Sequence, residues 1–170
     1  MANTFTLISS YTATGSVSSI DFTSIPSTYS DLCVKVSFRA SAATVYNSIK
    51  FTFNGSSSGY SYRYLEGSGS SASSGNSASA VEMFGGSGGG NGATASTFAS
   101  GEIYIPNYAG STNKSLSIDE VGENNATAAY MDMVAGLWSN TAAINRITFN
   151  ADGNNFLQYT NIYIYGVKNA

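Results

Sequence analysis

Few side chains in this sequence are suited to covalent or metal chemistry. The 170 residues include no histidine and a single cysteine, Cys33. A Ser-His-Asp triad, a Cys-His pair and the usual zinc sites all need residue types that are missing here. The glycine-rich run 85–92, GGSGGGNG, lacks the Lys-Ser/Thr that follows a phosphate-binding loop. We therefore expect no catalytic residue, no cofactor and no metal centre, and a protein that is not an enzyme.

Carboxylates form one cluster in the sequence. Asp119, Glu120 and Glu123 lie together in SIDEVGENN, a segment expected to be a turn. Carboxylate oxygens are the ligands that Ca²⁺ prefers, but the spacing does not match an EF-hand loop. A solvated acidic turn is the preferred interpretation, and cation binding stays open. A glycosidase would need two matched acids, and nothing singles out a pair among the ten Asp and Glu residues.

Tyrosines give the clearest binding signal. The segment GYSYRYLEG places Tyr60, Tyr62 and Tyr64 on one face of a predicted strand. Such a ladder, together with the only tryptophan, Trp138, offers ring faces on which sugars stack. Cross-strand tyrosines also simply stabilise a sheet, and a lone tryptophan is commonly a core residue. The structural interpretation is favoured, and the stacking face is kept as the alternative.

The elements that would position these residues are short strands. In DLCVKVSFR, Leu32, Val34, Val36 and Phe38 alternate with polar or small residues, which is typical of half-buried antiparallel strands. Ten such strands, separated by turn signals, predict an all-β fold, an antiparallel β-sandwich of jelly-roll-like form. The predicted strands lie at 4–8, 16–22, 31–39, 48–53, 60–65, 102–106, 115–119, 129–138, 146–150 and 156–166.

A serine- and glycine-rich segment interrupts this pattern at 67–97. It holds nine glycines and nine serines, one charged residue, and Val81, Met83 and Phe84 as its large apolar side chains. A domain boundary here would leave too few strands on each side to close a sandwich. We expect a single β-sandwich domain over 1–170 with one long loop at 67–97, whose glycines provide flexibility. Val81, Met83 and Phe84 would anchor this loop on a neighbouring subunit, or the loop would fold back on its own domain.

The composition argues against two classes of binding partner, nucleic acids and membranes. The net charge is −3 and no basic cluster occurs, so a nucleic-acid partner is not expected. No apolar run approaches the roughly 20 residues that cross a bilayer, so no membrane partner is expected. The single cysteine suits folding in a reducing cytoplasm, and the start MANTFTLISS does not have the pattern of a signal peptide.

Several segments together resemble small virion structural proteins of tailed bacteriophages, especially those of marine bacteria. The segments are TFTLISSYTATGSVSSIDFTSIPSTYSDLCVKVSFR, FNGSSSGYSYRYLEG, EIYIPNYAGSTNKS, GLWSNTAAINRITF and NFLQYTNIYIYGV. The resemblance spans nearly the whole chain except 67–97. It implies a jelly-roll-like sandwich on the virion surface, as a capsid decoration (cement) protein or a tail or fibre component, and it carries over no catalytic residue.

From this resemblance we expect a non-enzymatic decoration protein of a phage head. Its partners would be copies of itself, with a trimer favoured, and other virion proteins such as the major capsid protein. It would be made in the host cytoplasm and end at the virion surface. The alternative is a carbohydrate- or receptor-binding module of a tail or fibre, which would read a host surface glycan through Tyr60, Tyr62, Tyr64 or Trp138.

Overall fold

The structure is a computed structural model that describes residues 4–124 and 128–168. The described residues form twelve strands and no helix, which confirms the all-β prediction. The strands are β1 (Phe5–Thr12), β2 (Ser19–Phe22), β3 (Asp31–Phe38), β4 (Tyr46–Phe53), β5 (Tyr60–Ser68), β6 (Ser71–Ala80), β7 (Met83–Gly89), β8 (Ala99–Pro106), β9 (Lys114–Asn124), β10 (Ala128–Trp138), β11 (Ile147–Asn150) and β12 (Asn161–Val167).

These strands form two antiparallel sheets, consistent with the predicted sandwich. The large sheet has the order β1-β12-β3-β8-β9-β10-β5-β6, and the small sheet has the order β2-β11-β4-β7. Strands close to the two chain ends pair with one another, β1 with β12 and β2 with β11, and strands between them in the sequence pair in the same nested way, β3 with β8 and β4 with β7. This nesting favours the jelly-roll winding, which itself stays a prediction. The strands β5, β6, β9 and β10 widen the large sheet to twice the width of the small one.

One hydrophobic core lies between the sheets. Alternation in β3, β4 and β12 sends every second side chain inward, because successive side chains of a strand point to opposite faces. The core draws on both sheets and includes Val34, Phe38, Phe51, Phe149 and Ile164, all buried. Edge-to-face ring contacts, such as Phe38 with Phe156 at 6.2 Å between centroids, add specific geometry to this packing.

The segment 67–97 is not the predicted long loop. It contains all of β6 and β7, the only two of the twelve strands that the sequence did not predict. β6 pairs with β5 in the large sheet, and β7 pairs with β4 in the small sheet. Residues 91–97 are held by Arg39, whose buried guanidinium donates hydrogen bonds to the carbonyl oxygens of Thr94 (2.8 Å), Thr97 (2.9 Å) and Ala93 (3.1 Å). The segment therefore folds on its own domain, through backbone pairing and one arginine.

The glycines of this segment are required by close packing and not by flexibility. A Cβ atom at Gly88 would lie 2.6 Å from the Ala99 side chain and 2.9 Å from Oε1 of Glu120. A Cβ at Gly90 would overlap the backbone carbonyl oxygen of Thr44. Only glycine lets the backbone approach its neighbours this closely.

Candidate interaction surface

The three residues predicted to anchor the segment on a neighbour lie in different environments. Met83 is fully buried against Gly136 of β10, and the half-buried Phe84 packs on Tyr62, at 5.5 Å between ring centroids. Val81, in the connection between β6 and β7, is 64% exposed. Of the three, Val81 alone is placed where a partner could cover most of its side chain.

The tyrosine ladder faces inward, toward the small sheet. Tyr60 and Trp138 are each 1% exposed and stack on one another at 6.2 Å between centroids, so neither offers a ring face to a sugar. The Tyr60 hydroxyl accepts a hydrogen bond from the Phe53 backbone N–H at 2.8 Å. Tyr62 and Tyr64 are half-buried, and both contact Phe84. In place of a stacking face, the structure gives these four residues a packing role.

The outer face of the large sheet instead carries an exposed apolar patch, formed by Leu65, Val121, Met131 and Met133. Met133 is the cross-strand partner of Leu65, and Met131 is the partner of Val121. Their side chains are 39 to 60% exposed. Contiguous exposed apolar side chains bordered by polar ones are typical of a surface that another molecule covers. The sequence did not single out this patch, because its members fall on three separate strands.

A groove of about 560 Å³ overlaps the patch and runs along β5, β6, β9 and β10. Leu65 and Met133 are among its apolar lining residues, and Arg63, Asn76 and Ser74 are among its polar ones. The groove therefore combines apolar contact area with side-chain hydrogen-bond donors and acceptors.

The predicted acidic turn is a strand, β9, so its three acids do not converge. Asp119 points to the outer face and is exposed, whereas Glu120 points inward and is buried. Glu120 is the cross-strand partner of Asp132, which is also the partner of Glu66 on β5. Three carboxyl groups thus form one row across β9, β10 and β5, which we call the carboxyl row.

Glycine-rich β7 packs directly on the carboxyl row. The Ser87 backbone N–H donates a hydrogen bond to Oδ2 of Asp132 at 2.7 Å. A Cβ at Gly86 would lie 2.6 Å from Oε2 of Glu120. Oδ1 of Asp132 and Oε1 of Glu120 are buried without a hydrogen-bond partner. Such oxygens are costly to ionise, because burial removes the water that would solvate the charge.

Burial accordingly raises the pKa values of both inner carboxyls. Burial chiefly, with the neighbouring charge of Glu66, raises the pKa of Asp132 to about 6, although the Ser87 hydrogen bond opposes this shift. Burial, with repulsion from Asp132, raises the pKa of Glu120 well above its usual range. The Tyr130 hydroxyl bonds to Glu66, and burial and this bond raise the pKa of Tyr130. Within 4–124 and 128–168, no group of three or more His, Cys, Asp or Glu side chains is placed to hold a metal ion.

Cys33 is buried and not half-exposed as an outward position would suggest. It lies in β3, opposite Tyr104 of β8 and Tyr165 of β12. Burial raises the pKa of its thiol, although the nearby Lys35 opposes the shift. Because the thiolate is the nucleophile, this thiol is poorly activated.

The comparisons with known proteins give no family for the chain. No family model matches it, and no curated protein or solved structure is significantly similar to it. In the part of the chain that the structure describes, no helix has the length and apolarity to span a membrane.

Proposed function

We propose that the chain is a non-enzymatic virion structural protein, a surface decoration protein of a tailed-phage head that assembles as a homo-oligomer. The observation that carries the proposal is the exposed apolar patch of Leu65, Val121, Met131 and Met133. A rigid sheet that presents apolar side chains to solvent is suited to burying them against another protein. The resemblance to virion structural proteins supplies the biological setting.

The widened sheet explains how one small domain would serve both as a stable unit and as an interface. The inward faces of both sheets bury the core, while the outward face of β5, β9 and β10 presents the patch. A decoration protein needs this division, because it must fold before it binds the lattice. Binding to the folded state would then stabilise both partners by mass action.

Binding of a host glycan or receptor is the second candidate, and the groove is the observation that favours it. The buried rings of Tyr60 and Trp138 cannot take part, so a ligand would rest on Leu65 and Met133 and bond to Arg63 and Asn76. The two roles differ in what the protein recognises: a capsid lattice or a saccharide.

A capsid-binding measurement tests the first role. Heads of the phage that encodes the chain would be stripped of surface proteins and mixed with the wild type or with a Leu65→Ser/Met133→Ser variant. Removing two central apolar contacts should weaken binding at least about tenfold. Tyr159→Ser is the matched control, because Tyr159 is 63% exposed but lies in the loop before β12, outside the patch.

Saturable wild-type binding at a fixed stoichiometry, lost in the patch variant and kept in the control, is the expected result. Equal binding by all three proteins would remove the patch from the interface. No binding of the wild type to heads, together with binding to host polysaccharide, would replace the decoration role with the glycan role.

A further inference from the structure

The strand β6 contributes almost nothing to the core of its own domain. All ten of its residues, SASSGNSASA, are small or polar, and none of them is buried. It contains no charged residue and no proline, the usual means by which an edge strand is protected from pairing. Ordering ten residues costs conformational entropy, which within the described residues β6 offsets by pairing with β5 and by packing Ala80 against the core. In the described part of the chain no other strand pairs with its second edge.

The opposite edge of the same sheet is formed by β1, which differs from β6 in the size of its exposed side chains. β1 pairs with β12, and no other described strand covers its outer edge. It too has no charge and no proline, but three of its five exposed side chains are large and apolar: Phe5, Leu7 and Tyr11. One edge therefore lacks apolar side chains and the other exposes them.

The strand directions allow these two edges to meet. All seven neighbouring pairs in the large sheet are antiparallel, so β1 and β6 run in opposite directions. If a second copy continues the sheet with the same face outward, its β1 runs antiparallel to β6 of the first copy. The junction then has the same hydrogen-bonding pattern as the rest of the sheet.

The sizes of the outward side chains on β1 and β6 are also compatible with this junction. Phe5 and Leu7 face outward, beside the register positions of Tyr165 and Val167. Across the junction, the outward positions of β6 are Ala72, Ser74 and Asn76, partners of Gly67, Leu65 and Arg63. Small residues leave room for large neighbours, so apolar surface on β1 would be buried without a steric conflict.

We propose that β6 of one copy pairs with β1 of the next copy, so that the large sheet continues from subunit to subunit. The contact joins two different edges, and a contact of this kind repeats until a ring closes. A ring of three copies fits the expected trimer. This inference rests on the proposed homo-oligomeric function, and it names the strands that would carry the assembly.

Two double variants test the pairing. Ser74→Lys/Asn76→Lys places charges on β6, and Leu7→Lys/Ser10→Lys places them on β1, in each case at exposed positions. Each variant alone should be monomeric by light scattering. Each should still unfold in a cooperative thermal transition, as a folded domain does. Mixed in equal amounts, they should form a 1:1 heterodimer, because one intact β1 and one intact β6 remain available.

The other outcomes have distinct meanings. A β1 variant that is a dimer while the β6 variant is monomeric would overturn the proposal in favour of β6 pairing with itself. Variants that both keep the wild-type oligomer would overturn the edge pairing and leave the homo-oligomeric function standing. A wild type that is monomeric at every concentration would overturn the homo-oligomer itself. Circular dichroism spectra that match the wild type ensure that monomeric variants are folded.

Discussion

Raising the pH should destabilise the sandwich through the carboxyl row. Asp132 is fully buried, and its pKa rises from an ordinary value of 3.8 to about 6 on folding. Each unit of pKa shift corresponds to about 1.4 kcal/mol, so ionised Asp132 lowers the free energy of unfolding by about 3 kcal/mol. Glu120, whose pKa burial also raises well above its usual range, adds to this penalty as it ionises.

The direction follows from the protons bound in each state. Well below pH 3.8, the ordinary pKa of this carboxyl, both states hold the Asp132 proton, so there is no penalty. Between pH 4 and about 6 the unfolded chain releases the proton while the folded protein keeps it, and stability falls as the pH rises. Above that range Asp132 is ionised in both states and its penalty is constant.

The assay is urea unfolding followed by the fluorescence of Trp138 at pH values from 4 to 8. In Asp132→Asn the amide oxygen can still accept the Ser87 hydrogen bond, but the group cannot ionise. The stability of this variant relative to wild type should therefore increase by about 2.5 kcal/mol between pH 4 and pH 8, because the unfolded chain has already released part of the Asp132 proton at pH 4. Asp119→Asn, one residue before Glu120 and exposed on the other face, should follow the wild-type profile. Parallel profiles for wild type and Asp132→Asn would refute the reasoning.

Two further predictions concern the segment 67–97. Gly90→Ala should lower the free energy of unfolding by about 3 kcal/mol or more, because the new methyl group overlaps the Thr44 carbonyl oxygen. Gly15→Ala is the control and should change stability little, because no atom lies within 4 Å of its new methyl group. Equal unfolding midpoints in urea for the two variants would contradict the packing account. Arg39→Ala should cost roughly 3 kcal/mol and speed proteolysis within 91–97, because several backbone carbonyls lose a charged donor. The exposed Arg63→Ala is its control, and unchanged cleavage in Arg39→Ala would show that the guanidinium does not hold the segment.

Ten of the twelve strands could be predicted because their inward side chains are large and apolar. β6 and β7 could not, since the small residues of β6 and the glycine-rich stretch after Phe84 in β7 produce almost no alternation in hydropathy. Glycine-rich runs favour flexibility in isolation, and only the tertiary structure shows that Gly88 and Gly90 are close-packed against neighbouring strands. The prediction of a loop was wrong for this reason.

The inward position of the two buried carboxyls, by contrast, could have been predicted from the sequence. Leu116, Ile118 and Glu120 share one phase of the β9 alternation, and Asp132 shares the phase of Val134 in β10. Extending the period-2 pattern by one step would have placed both acids inside. The apolar patch is different, because its members come together only through the pairing order of β5, β9 and β10, which local patterns do not specify.

The molar mass of the purified protein in solution, measured by light scattering, tests the central claim of a self-assembling structural protein most directly. One chain has a mass of 17.7 kDa, and the account predicts a stable species of about 53 kDa, three copies, that persists on dilution to micromolar concentration. A single species with the mass of one chain at every concentration would contradict it.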